Sequence, residues 1–108
     1  MIQDLRKNEL SELKQILENL LDPDTFRILL FGSRARGDYS EVSDVDVAII
    51  VHRLTRETKH QILEKIAEIE LKYLLPISVL VLSEHEFEHL KQRERRIAID
   101  IEREGVPL

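Results

Sequence analysis

The chain contains no cysteine, which excludes a disulfide framework and a thiolate zinc site and leaves stability to packing. It has no apolar run near the ~18 residues that would span a bilayer. Its first residues, Met1-Ile2-Gln3-Asp4-Leu5-Arg6-Lys7, are charged where a secretory signal would be apolar. A cytoplasmic protein without membrane attachment is expected. Excess basic charge is missing too, since 16 lysines and arginines stand against 21 aspartates and glutamates, a net charge of −5. Duplex nucleic acid is held by neutralising its phosphates, so it is not the expected partner, whereas a small phosphate ligand needs only a local basic patch. Repeats, low-complexity stretches and interdomain linkers are absent. What remains is 108 residues, 43% hydrophobic and 34% charged, which fits one domain over residues 1–108. That length buries a core but leaves no second lobe for a large acceptor.

Apolar residues at Leu10, Leu13, Ile16 or Leu17, and Leu20 or Leu21 repeat with a helical period until Asp22-Pro23-Asp24. Phe26 to Phe31, Asp46 to Val51 and Ile77 to Leu82 are short, nearly continuous apolar runs, the pattern of inner strands. Between the last two, Ile62, Ile66, Ile69 and Tyr73 share one face of a long helix over Thr55 to Tyr73. Ser83-Glu84-His85-Glu86 has the spacing of a capping box, and Phe87, Leu90, Ile97 and Ile101 continue one apolar face until Gly105 ends the helix. Helices alternating with short buried strands predict an α/β (α+β) fold with a small central sheet.

The chemistry lies in Gly32-Ser33-Arg34-Ala35-Arg36-Gly37 and Ser43-Asp44-Val45-Asp46. Gly32 removes a side chain where the chain leaves a strand, so the backbone can approach a phosphate, and Ser33 adds a hydroxyl and an amide. A short helix opening at Ser33 would aim free amides at the same anion, with Arg34 and Arg36 supplying charge. Asp44 and Asp46, two apart at the mouth of an apolar strand, would present carboxylates side by side, an arrangement that needs a cation between them. Magnesium prefers hard oxygens, a few carboxylates plus substrate phosphate oxygens. A nucleoside triphosphate, ATP or another, with Mg2+ is the ligand these residues suit, and nucleotidyl transfer the reaction.

Gly-Ser-x-Ala-Arg-Gly, a loop and Ser-Asp-x-Asp resemble the signature of the polymerase-beta-like nucleotidyltransferase superfamily, specifically its minimal nucleotidyltransferase branch. The resemblance covers essentially the whole chain. It implies a small mixed sheet flanked by helices, with Gly32 and Ser33 on the triphosphate and Asp44 and Asp46 on the metals. In that branch the domain is often encoded beside a helical HEPN partner in a toxin–antitoxin pair, and some members transfer AMP from ATP to a tyrosine of the toxin. One departure stands out. Where the superfamily places a third carboxylate on the next strand, this chain has Ser78, and no Asp or Glu lies between Lys72 and Ser83. A hydroxyl is a weaker magnesium ligand and no carboxylate base. Three readings follow from it: a slow enzyme, a site completed by a carboxylate from a partner or loop, or an antitoxin that neutralises its partner by binding alone. A lone phosphate-binding regulatory domain is a further alternative.

Other candidates carry less. His85 and His89 are four apart on a helix with no third ligand for zinc, and read as a solvated face. His52 and His60 flank a polar turn and receive no role. Lys91, Arg93, Arg95 and Arg96 form a basic cluster interspersed with Glu94, Asp100 and Glu102. Ile99 and Leu10, off or at the edge of their stripes, are candidates for a dimer or partner surface.

Overall fold

The computed structural model describes residues 7–32 and 44–108. The order is α1 (Lys7–Leu20), β1 (Phe26–Phe31), β2 (Val45–Val51), α2 (Arg56–Tyr73), β3 (Ile77–Ser83), α3 (Glu84–Gln92), α4 (Arg96–Glu104) and β4 (Val106–Pro107). The strands form one mixed sheet ordered β3-β2-β1-β4. β1 runs antiparallel to β2 and to β4, and β2 parallel to β3. The α/β fold expected from the pattern is the fold observed.

Both faces of the sheet are covered, which is why its strands read as continuous apolar runs rather than alternating ones. On β2, Val45, Val47, Ile49 and Val51 join Ile28 and Leu30 beneath α1 and α2, which contribute Leu13, Leu17, Ile62, Ile66 and Ile69. The intervening Ala48 and Ile50 join Leu29 and Leu82 under α3 and α4, against Phe87, Ala98 and Ile101. The helix stops follow local chemistry. Pro23 opens a single 3-10 turn after α1, held by the Thr25 hydroxyl donating to the Asp22 carbonyl at 2.6 Å. Thr55 caps α2 by accepting from the Thr58 amide at 3.0 Å. At α3 the capping box is complete: the Glu86 amide donates to Ser83 Oγ at 3.0 Å and the Ser83 amide to Glu86 Oε1 at 2.9 Å. That second bond holds the Glu86 carboxyl below its usual range.

Four sequence expectations change. The C-terminal segment is two helices, not one. Arg95 N–H donates to the Leu90 carbonyl and Glu94 N–H to the Lys91 carbonyl, a Schellman closure that puts Glu94 at φ 55. The helical phase restarts after this break, so α4 turns Ala98 and Ile101 inward and leaves Ile97 42% exposed, with Ile99 only half-buried. Leu10 is a core residue, 5% exposed, beneath α1 rather than at its edge. β3 is an outer strand, and β4, which has no periodic signal, pairs Val106 with Leu30 and Pro107 with Leu29. Gly105 does follow α4, but at φ −62. It serves there by its small size, because a Cβ would overlap the Ile101 carbonyl and meet Leu29 Cβ at 3.3 Å.

Candidate functional site

The strand register brings the site together. Phe31, the last residue of β1, lies opposite Asp46 on β2, and Asp46 in turn lies beside Ser78 on β3. All three share the α3–α4 face of the sheet, since they continue the rows of Leu29, Ala48, Ile50 and Leu82. Gly32 follows Phe31 at φ +74. A Cβ built on it would overlap Asp46 Oδ2 and stand 3.1 Å from Asp46 Cγ and 3.2 Å from its Cβ. The bare backbone at 32 is therefore what gives the Asp46 carboxylate its place at the strand exit. Sequence reasoning assigned Gly32 to phosphate approach and missed this packing role. A glycine at the end of one strand, just past the point opposite an aspartate of the next, is the signal for it.

Asp46 is half-buried, with Ala48 fully buried behind it. Asp44 is exposed, one residue before β2, where the parallel ladder makes its outermost bond from Val45 N–H to the Pro76 carbonyl at 3.0 Å. Asp46 thus stands at the rim of the sheet beside Gly32, with Asp44 two residues earlier in the chain. Ser33, Arg34 and Arg36 lie outside the described residues. Ser78 is exposed and occupies the position next to Asp46 on the same face, so the register puts a hydroxyl where the superfamily pattern has a carboxylate. Among the described residues no group of three or more His, Cys, Asp and Glu side chains converges. The donors on offer, Asp46 and Ser78 side by side in the register and Asp44 two residues before Asp46, are all hard oxygens, and two of them are anionic. That chemistry fits magnesium completed by phosphate oxygens, and does not fit a soft metal.

The other polar residues singled out in the sequence have local settings. His85 and His89 are exposed on α3. Lys91 is ion-paired to Glu88 at 2.8 Å and Glu102 at 2.6 Å and lies 4.9 Å from the Phe87 ring centre, so it leaves the basic cluster. The two carboxylates raise its pKa, Glu102 foremost. A cluster not anticipated from sequence joins α1 to α2. Glu12 accepts from the Tyr73 hydroxyl at 2.8 Å and from Lys72 Nζ at 3.0 Å. These bonds, Tyr73's first, hold Glu12 low, and Glu12 raises both partners. It lies on the α1–α2 side of the sheet and is a structural tie. No helix among the described residues is long and apolar enough to cross a membrane.

The family model described as nucleotidyltransferase domain matches residues 10–106. A protein of Methanocaldococcus jannaschii named "Putative protein adenylyltransferase MJ0141" is 40% identical over 73 residues, 67% of this chain and 74% of that one. A crystal structure of "a putative nucleotidyltransferase from Sulfolobus solfataricus" aligns with a TM-score of 0.49 at 21% identity, covering 94% of this chain and 82% of that one.

Proposed function

The chain belongs to the nucleotidyltransferase domain family, and from that membership we propose that it transfers AMP from ATP to a hydroxyl on a partner protein. The observation that carries the reading is the Asp46 carboxylate set against Gly32 at the exit of β1. The name of the M. jannaschii relative supports AMP as the group moved and a protein as the acceptor. The minimal nucleotidyltransferase signature supports a helical HEPN-type toxin as that protein. Gly32 and Ser33 hold the β- and γ-phosphates, with Arg34 or Arg36 offsetting charge on the phosphoryl oxygens.

Asp44 and Asp46 are the residues that would hold magnesium, with Ser78 as a neutral neighbour. When bound, the ion supplies Lewis acidity toward the triphosphate oxygens and the attacking hydroxyl. The hydroxyl oxygen forms a bond to the α-phosphorus while the bond from that phosphorus to the bridging oxygen breaks, and pyrophosphate leaves with the electron pair. This chain's part is positioning. Asp46 is held by strand pairing on both sides and by the bare backbone at Gly32, so its carboxylate needs little reorganisation to serve. Ser78 gives the acceptor's proton no carboxylate to move to, so the proton passes to solvent water and transfer is slow unless a partner supplies a base.

A second reading rests on the same residue. With Ser78 beside Asp46, the domain acts as an antitoxin that neutralises its partner by complex formation, and the nucleotide site is vestigial. One mixture separates the two: this chain, its co-purified partner, magnesium and ATP labelled at the α-phosphate. Label on the partner supports the transferase. A tight complex without label supports the binding module, and failure of any protein to co-purify counts against both.

A further inference from the structure

We propose that the chain carries an acceptor of its own: the Ser78 hydroxyl takes one AMP from ATP, so that each molecule modifies itself once. This activity rests on the nucleotide site of the transferase reading and adds to it a covalent modification site on β3.

The residues concerned stand in a row across the sheet. Phe31 on β1 lies opposite Asp46 on β2, and Asp46 lies beside Ser78 on β3, all on one face. Gly32, one residue past Phe31, lies against the Asp46 carboxylate, so Gly32 and Ser78 flank Asp46 from opposite sides. Neighbouring strands lie about 4.8 Å apart, which puts Ser78 roughly 10 Å from the exit of β1 across the sheet. Displacement at phosphorus needs the attacking and leaving oxygens on opposite sides of that atom. With the β- and γ-phosphates at Gly32 and the α-phosphate over Asp46, pyrophosphate departs toward β1, and the line of attack comes from β3. The side chain waiting there is a hydroxyl, the group this reaction consumes.

Among the described residues no other hydroxyl is so placed. Apart from Ser78, the four strands and the helices α3 and α4 contain one hydroxyl, that of Ser83. It lies five residues, roughly 16 Å, along β3, and its oxygen accepts from the Glu86 amide. The Tyr73 hydroxyl donates to Glu12 on the α1–α2 side. Ser78 is exposed on a strand that pairs with β2 along its whole length, so it meets bound nucleotide without a loop having to close. That fixed placement turns a bimolecular encounter into an intramolecular one.

The step balances within the site. Ser78 Oγ forms a bond to the α-phosphorus while the bond from that phosphorus to the bridging oxygen breaks. Pyrophosphate leaves with the electron pair, and the hydroxyl proton passes to the water that reaches this exposed position. The product is a phosphodiester joining Ser78 to adenosine. It fills the site, so the reaction stops at one AMP per chain. A carboxylate at position 78 would take a proton but could not be the acceptor, which separates this activity from transfer to a partner.

The whole chain with magnesium and α-labelled ATP, and no partner, tests the proposal. Label should rise to one AMP per chain, with a rate constant unchanged by diluting the protein, and mass spectrometry should place it on the peptide that holds Ser78. Ser78→Ala, at an exposed position, should take no label and keep the parent's circular dichroism. A readout that needs no transfer exploits the absence of cysteine. The single thiol of Ser78→Cys should be alkylated by a maleimide several times more slowly in saturating α,β-methylene-ATP, which cannot release pyrophosphate, than without nucleotide. Label on a co-purified partner with none on this chain overturns the proposal and leaves the transferase reading standing; label on neither overturns both. Label that maps elsewhere, persists in Ser78→Ala or appears faster at higher chain concentration overturns the proposal, as does alkylation that the nucleotide leaves unchanged.

Discussion

Gly32→Ala should lower both stability and transfer, by amounts that the geometry sets. Gly32 sits at φ +74, where an L-residue is disfavoured by about 1 kcal/mol. The added methyl overlaps the Asp46 carboxylate, an overpacking that costs about 1–3 kcal/mol. Together these come to roughly 2–4 kcal/mol, and at about 4 °C per kcal/mol for a domain of this size the melting temperature should fall by roughly 10 °C. The strain is relieved most easily if Asp46 swings away, and a displacement of about 1 Å at a reacting site is worth roughly a hundredfold in rate. Thermal melts followed by circular dichroism and transfer of α-labelled nucleotide measure the two losses separately. Gly32→Ala combined with Asp46→Ala removes the overlap with the carboxylate and leaves a 3.2 Å contact with the Cβ at 46, so it should recover part of the lost stability while transfer stays lost. An alanine variant with unchanged melting and unchanged transfer would refute the packing of Gly32 against Asp46 and the role built on it.

Three further outcomes are expected. Ser78→Asp sets a third carboxylate next to Asp46; it should melt lower than the parent without metal, regain that difference in magnesium, and transfer about a hundredfold faster or more, on the order of one general-base contribution. No magnesium-dependent rise in melting would show that these residues do not share an ion. Glu94→Gly relieves the left-handed position that closes α3 and should raise stability by about 1 kcal/mol, read as the urea midpoint; a loss would mean that Glu94 does more than close the helix. Stability should also fall at both ends of the pH range. Glu12 and Glu86 are held low, so their contribution is present above the ordinary glutamate range and lost as pH falls through their folded values. Lys72 and Tyr73 are raised, so theirs is present at neutral pH and lost as pH rises through their folded values. Glu12→Gln should flatten the alkaline arm, and an identical melting profile in that variant would remove the cluster from the account.

The parts of the fold legible in sequence were those written in local pattern. The stripe Ile62, Ile66, Ile69 is buried as its spacing predicts, and the Ser83–Glu86 box forms both of its bonds. Strand order has no such local trace. Nothing in Ile77 to Leu82 distinguishes an edge from an interior strand, because apolar residues suit both when helices cover the two faces. The break at Glu94 was hidden because glutamate, not glycine, takes the left-handed position, and without that signal Ile97 was assigned to the wrong face. β4 is too short to show a period and contains a proline. At the site, Asp46 near Gly32 followed from two strands consecutive in the chain. The alignment of Ser78 with Asp46 needed the parallel register of β2 and β3, which only the three-dimensional structure supplies.

The most direct test compares the chain with its Asp46→Asn variant, which keeps the shape of the side chain and removes its charge. Both should give the same folded circular dichroism spectrum in the absence of magnesium. Only the parent should move label from α-labelled ATP to the co-purified partner in its presence. Transfer by Asp46→Asn at the parent's rate would contradict the account.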